Sequence, residues 1–159
     1  MLRFAPLLLI CALPTSVFAQ SQLDRFETIS EDMNVAMFDA MIRMIQDMGG
    51  DPEPLRAAVP DSDWDDDYRQ AGACMLNKLI DASSASEIDE MLDAMEAFIP
   101  EIEGKSVDEI SEDIDFLPDS ISESLSISVN SECGMTDLLL DRMSETGFTA
   151  AMMRAMEGM

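Results

Sequence analysis

Residues Trp64 to Asp81 read WDDDYRQAGACMLNKLID. At the helical period Tyr68, Ala71, Met75, Leu76, Leu79 and Ile80 fall on one broad apolar face, so the stretch is expected to be a half-buried α-helix. Asp63, Asp65, Asp66 and Asp67 then lie at its positive N-terminal end, with Asp61 or Ser62 as the expected cap. Cys74 sits at the edge of the apolar face. Cys133, in a second apolar stretch, is the natural partner for it. A Cys74–Cys133 disulfide would close a loop of about 60 residues and stabilise the fold by roughly 4 kcal/mol on the chain-entropy argument. There is no C-x-x-C, so a structural bond is expected rather than a redox-active one.

The same period recurs on both sides of this helix. Upstream, Gln22 to Met48 reads as one long helix ending at Gly49-Gly50. Met33, Met37, Met41, Met44 and Met48 form a stripe along it, widened by Val35, Phe38, Ile42 and Ile45. Asp39–Arg43 and Arg43–Asp47 have the spacing of helix-surface ion pairs. The segment from Asp51 to Asp63, with Pro52, Pro54 and Pro60, reads as a connector. Downstream, Ser84-x-x-Glu87 and Ser106-x-x-Glu109 are capping boxes for two further helices. Pro100 is expected to kink or end the first of them.

The stretch from Asp119 to Asn130 is ambiguous. Leu125, Ile127 and Val129 alternate as in a strand, yet no second strand-like run offers a partner, and helix is the expectation. Helical spacing returns from Glu132 to a stop at Gly147, and again near Thr149 to Glu157. The fold class read from these patterns is all-α: a single-domain bundle of about five or six helices with one disulfide.

The first 19 residues read as a secretory signal peptide. Arg3 precedes a short apolar run, and Val17 and Ala19 supply the small residues of a cleavage site after Ala19. The exported domain is then 20–159, and the bacterial periplasm is the expected location. No stretch is long and apolar enough to be a membrane span. The chain carries 33 acidic and nine basic residues, a formal net charge of −24. That charge repels phosphate backbones, so nucleic acid is excluded as a partner. A protein partner is compatible with it, and the pattern carries no information on oligomeric state.

Histidine is absent, which removes imidazole general bases, Ser-His-Asp arrangements and histidine metal ligands. No nucleotide-binding glycine motif is present. Carboxylate pairs could serve a hydrolase, but 33 acids single out no pair, and one Trp and one Tyr make a poor sugar platform. No catalytic residue and no cofactor are expected. Asp61, Asp63 and Asp65 match the first ligand positions of a calcium loop and are a candidate cation cluster. However, Asp66 stands at the turn glycine and Gly72 at the closing glutamate, so no metal is assigned there.

The 15 methionines are the distinctive feature. Met33, Met37, Met41, Met44 and Met48, together with Met152 and Met156, form a candidate face for a partner or a soft metal. Thioethers fill irregular cores, adapt to varied apolar ligands, and coordinate Cu(I) or Ag(I). Core packing is expected for the middle of the stripe. The functional expectation is a non-enzymatic exported helical binding protein, partner-docking or holdase-like, with a Met-rich apolar surface. The alternatives are periplasmic soft-metal binding through the thioethers and a purely structural helical domain.

Overall fold

A 33-residue helix, α1 (Thr15–Asp47), is the spine along which three apolar clusters are strung. The computed structural model describes residues 15–113 and 116–157. Among these there are eight helices and no strand. The apolar run of the expected signal peptide, within 1–14, lies outside the described residues, and α1 continues through the expected cleavage point after Ala19.

The remaining helices are α2 (Glu53–Arg56), α3 (Asp66–Ala82), α4 (Ala85–Ile102), α5 (Val107–Asp113), α6 (Glu123–Glu132), α7 (Met135–Glu145) and α8 (Phe148–Glu157). Eight exceeds the expected five or six. One reason is α2, which lies inside the expected connector. Pro52 caps it and Pro54 occupies its first turn, where a helix has no use for the missing N–H. Leu55 anchors it at 0% exposure. The C-terminal run divides into three helices at the breaks its spacing predicts. Gly134, at φ +79°, separates α6 from α7, and Gly147 separates α7 from α8. An alanine at 134 would place Cβ against its own carbonyl in this left-handed conformation.

The first cluster joins Phe26 and Ile29 of α1 to Met75, Leu76 and Leu79 of α3, Ile88, Met91 and Leu92 of α4, and Ile121 and Val129. The third sets Ala40 against Phe98, Ile102 and Ile110 of α4 and α5. The second closes the far end, where Phe38, Ile42 and Ile45 meet Leu55, Phe148 and Ala151. The stretch that opened the reading of the chain thus lies at the centre of one cluster, while α1 reaches all three.

Local signals terminate most of these helices as their side chains dictate. Ser84 accepts from Glu87 N at 3.2 Å, and Ser106 from Glu109 N at 3.3 Å. Glu109 returns the bond to Ser106 N at 2.9 Å, completing a capping box. Helix α4 runs two residues past Pro100, which is exposed, so water can take the carbonyl left without a donor. The ambiguous stretch is helical from Glu123. Val129 is buried, Leu125 packs beside it one turn away, and Ile127 is left 63% exposed.

Few cations serve this acidic chain, and several of them tie one helix to another. Arg25 of α1 bridges Asp93 and Glu96 of α4. Arg69 of α3 reaches Asp24 and Glu27 of α1, and Lys78 of α3 reaches Glu132 of α6. Arg43 does not make the expected pairs with Asp39 and Asp47. Its guanidinium donates to the Ile102 carbonyl at 3.0 Å, satisfying one of the orphan acceptors at the end of α4. The Cys74–Cys133 disulfide is formed, with Cα atoms 5.7 Å apart, and fastens α3 to the C-terminal end of α6.

Candidate functional site

Where α3, α4, α6 and α7 meet the N-terminal half of α1, the bundle leaves a cavity of about 580 Å³. Each helix contributes residues at helical spacing, so short sequence pairs become adjacent lining side chains. Helix α3 supplies Tyr68, Met75 and Leu79, α4 supplies Met91 and Met95, and α7 supplies Met135 and Leu139. Ser30 and Asn34 of α1, one turn apart, and Ser126 and Asn130 of α6, also one turn apart, add a polar fringe beside Glu123. Phe26 and Trp64 form an edge-to-face pair with centroids 5.4 Å apart at one wall.

Gly72 makes room for that wall. A Cβ at this position would stand 2.3 Å from the Trp64 ring, so α3 approaches the indole as only glycine permits. Trp64 is held from the other side, where its backbone N–H donates to the Glu31 carboxylate of α1 at 2.7 Å.

Tyr68, one of the lining residues, carries a buried hydroxyl. It is 3% exposed, and among the described residues its hydroxyl is the buried side-chain polar atom without a hydrogen-bond partner. Burial pushes its phenol above the ordinary tyrosine range, against an opposing pull from the Arg142 cation, so it keeps its proton at neutral pH. The Arg142 guanidinium lies over the Tyr68 ring at 3.9 Å from the centroid.

Arg142 also accounts for the acidic loop. Its Nη1 donates to the carbonyl oxygens of Asp61 at 3.1 Å and Asp63 at 2.7 Å, and its Nη2 to the Asp65 carboxylate at 2.7 Å. The Asp61 carboxylate accepts from Asp63 N, and Asp65 accepts from Tyr68 N at 3.0 Å. Asp65, not Asp61 or Ser62, is therefore the cap of α3, and the helix starts at Asp66. At the candidate cation cluster of Asp61, Asp63 and Asp65, the guanidinium from α7 meets two backbone carbonyls and the single carboxylate of Asp65. Among the described residues no three Asp, Glu or Cys side chains are arranged to hold a metal ion.

The Tyr68 N–H and then Arg142 hold the Asp65 carboxyl below its ordinary value of 3.8. A depressed folded pKa adds stability that is present above that ordinary value and lost as pH falls through the folded one. Asp65→Asn keeps the cap but removes the charge. Its thermal melts should lie slightly below those of the parent at neutral pH, with the gap closing below about pH 3.8. A gap that is constant across pH would contradict this assignment. The effect is small because Asp65 is largely exposed.

The methionines singled out by sequence are not those of the cavity. Met33 and Met37 pack against the third cluster, and Met41, Met44 and Met152 against the second. All five are half-buried, while Met48 and Met156 are 49% and 46% exposed. Helix α1 turns Phe38, Ala40, Ile42 and Ile45 inward, and the stripe flanks that face. Changing Met37, Met41 or Met44 to Ala should therefore cost about 1–2 kcal/mol, roughly half the loss at a fully buried methionine. Met48→Ala should stay within about 0.5 kcal/mol. Urea melts of the four variants check the gradient. The cavity methionines Met75, Met91, Met95 and Met135 carried an equally legible sequence signal, since they lie on the apolar stripes of their own helices. What the sequence lacks is any sign that those stripes enclose a space. Comparisons with protein-family models, with curated proteins and with solved structures return no match to this chain.

Proposed function

We propose that this chain is an exported, non-enzymatic binding protein that holds an apolar ligand, and that its binding surface is the methionine-lined cavity rather than the stripe of α1. The observation that carries the reading is the set of four thioethers, Met75, Met91, Met95 and Met135, lining one space of about 580 Å³. That volume lies within the roughly 300–1,000 Å³ of small-molecule sites. Unbranched thioether chains can repack around differently shaped apolar groups. The lining holds a single carboxylate, Glu123, and no cysteine or histidine, so its Ser30 and Ser126 hydroxyls have no imidazole base beside them to activate them.

The test is titration of the mature, disulfide-bonded protein with a neutral environment-sensitive dye such as Nile red. Saturable one-to-one binding, competed by small apolar molecules, is the expected result. A linear, non-saturating signal overturns the reading. The same four methionines support a second reading, soft-metal binding, because they line one pocket. Replacing all four with Leu separates the two. Dye binding retained with loss of Cu(I) binding, measured under reducing conditions, assigns the sulfurs to the metal. Dye binding retained in a protein that never took up Cu(I) assigns them to apolar packing.

A further inference from the structure

We infer that the occupant of this cavity is a cationic amphiphile, an apolar chain ending in one ammonium group, with its head at Glu123 and its chain against the methionines; the inference rests on the binding reading above. The cavity wall grades from apolar to polar with depth. Met75, Leu79 and Met91 line it and are buried, so its interior is apolar. Ser126 and Asn130 are half-buried and Glu123 is exposed, so the polar fringe lies toward solvent. These three follow one another at i, i+3 and i+7, which puts them on one face of α6. A ligand entering such a space loses least by burying an apolar chain and leaving its polar end in the fringe.

The sign of that polar end follows from the lining. Among the described lining residues Glu123 is the one charged side chain, and none is Lys or Arg. The cations of the surrounding helices are engaged elsewhere: Arg25 by Asp93 and Glu96, Arg69 by Asp24 and Glu27, and Lys78 by Glu132. Arg142 is held by Asp65. The Glu123 carboxylate pairs with no other described residue. A ligand carboxylate would meet a like charge there and the repulsion of a chain whose net charge is −24. An ammonium meets an unpaired carboxylate, and the hydroxyl and amide oxygens of the fringe offer acceptors for its remaining N–H groups.

Decylamine, decanol and decanoate share one chain length and differ in the charge of the head. Each is titrated into the disulfide-bonded protein below its micelle concentration and followed through Trp64, the single tryptophan of the chain and part of the cavity wall. At low ionic strength the amine should bind about threefold more tightly than the alcohol, the scale of one exposed ion pair, and the carboxylate should bind most weakly. Added salt should shrink the advantage of the amine. Glu123→Gln should bring the amine to the level of the alcohol and leave alcohol binding unchanged. Glu157→Gln makes the same change of charge at an exposed residue of α8, outside the lining, and should keep the advantage. An advantage that survives Glu123→Gln, or that falls equally in Glu157→Gln, overturns the inference, as does decanoate binding at least as tightly as decylamine. Decanol binding with no advantage for the amine overturns the inference and leaves the binding reading standing. Failure of all three probes to bind removes that reading as well.

Discussion

Breaking the Cys74–Cys133 bond should lower the unfolding free energy by about 4 kcal/mol, because the cross-link restricts a long loop of the unfolded chain. The two cysteines are 59 residues apart in sequence. For a domain of this size that loss corresponds to a fall in Tm of roughly 10–20 °C. The double variant Cys74→Ala/Cys133→Ala measures it without a reductant. Between α3 and α6 the protein would then keep the packing of Leu125 and Val129 and the Lys78–Glu132 pair. The ion pair is exposed and contributes little. Helix α6 carries Ser126 and Asn130 of the cavity fringe, so ligand binding should weaken together with stability. Unchanged denaturation midpoints in the double variant would show that α6 is held by packing alone.

Phe148→Ala should be as damaging, at about 3–5 kcal/mol, the range for removing a buried aromatic side chain. Phe148 is 0% exposed and meets Phe38 of α1 edge-to-face, with centroids 4.9 Å apart. It is the first residue of α8, and with Ala151 it brings that helix onto the second cluster. The rest of α8 offers Met152 and Ala155 at the margin, while Met153 and Met156 are exposed. Losing the ring should therefore release α8 before the remainder of the bundle unfolds. Hydrogen exchange would show early loss of protection in α8 with α3 and α4 still protected. Uniform loss across the chain would mean that the second cluster does not behave as a separate unit.

The contrast between Phe148 and the methionine stripe shows where sequence patterns stop being informative. Both lie on apolar helical faces, and composition favours the stripe as the notable feature. In the structure Phe148 is sealed between α1 and α8, whereas Met41 and Met44 border the same cluster half-buried. A stripe about half a circumference wide cannot reveal which part of it meets a neighbour. That depends on where the next helix crosses.

Leu125, Ile127 and Val129 make the same point within one helix. A strand would put all three on one face, whereas α6 buries Val129, packs Leu125 beside it and exposes Ile127. The helical spacing of Ile121, Leu125 and Val129 and the lack of a partner strand both point to helix, and the stretch is helical from Glu123. The prolines before α3 misled in the other direction. Pro52 and Pro54 start a helix that is held in place by the burial of Leu55, a contact with another part of the chain.

What the sequence determined by itself is short-range. The helical period, the Ser84–Glu87 and Ser106–Glu109 caps and the glycine stops depend on groups within about one turn of each other, so they can be read from spacing alone. The cysteine pairing was also legible, because only two cysteines follow the expected cleavage site. Tertiary structure alone decided which apolar faces would enclose a space, that Met75, Met91, Met95 and Met135 would line it, that Arg142 would stand among Asp61, Asp63 and Asp65, and that the Tyr68 hydroxyl would be buried unpaired. Each of those facts depends on the crossing positions of helices far apart in the chain. Side-chain periodicity states that a face will be buried but not what it will meet.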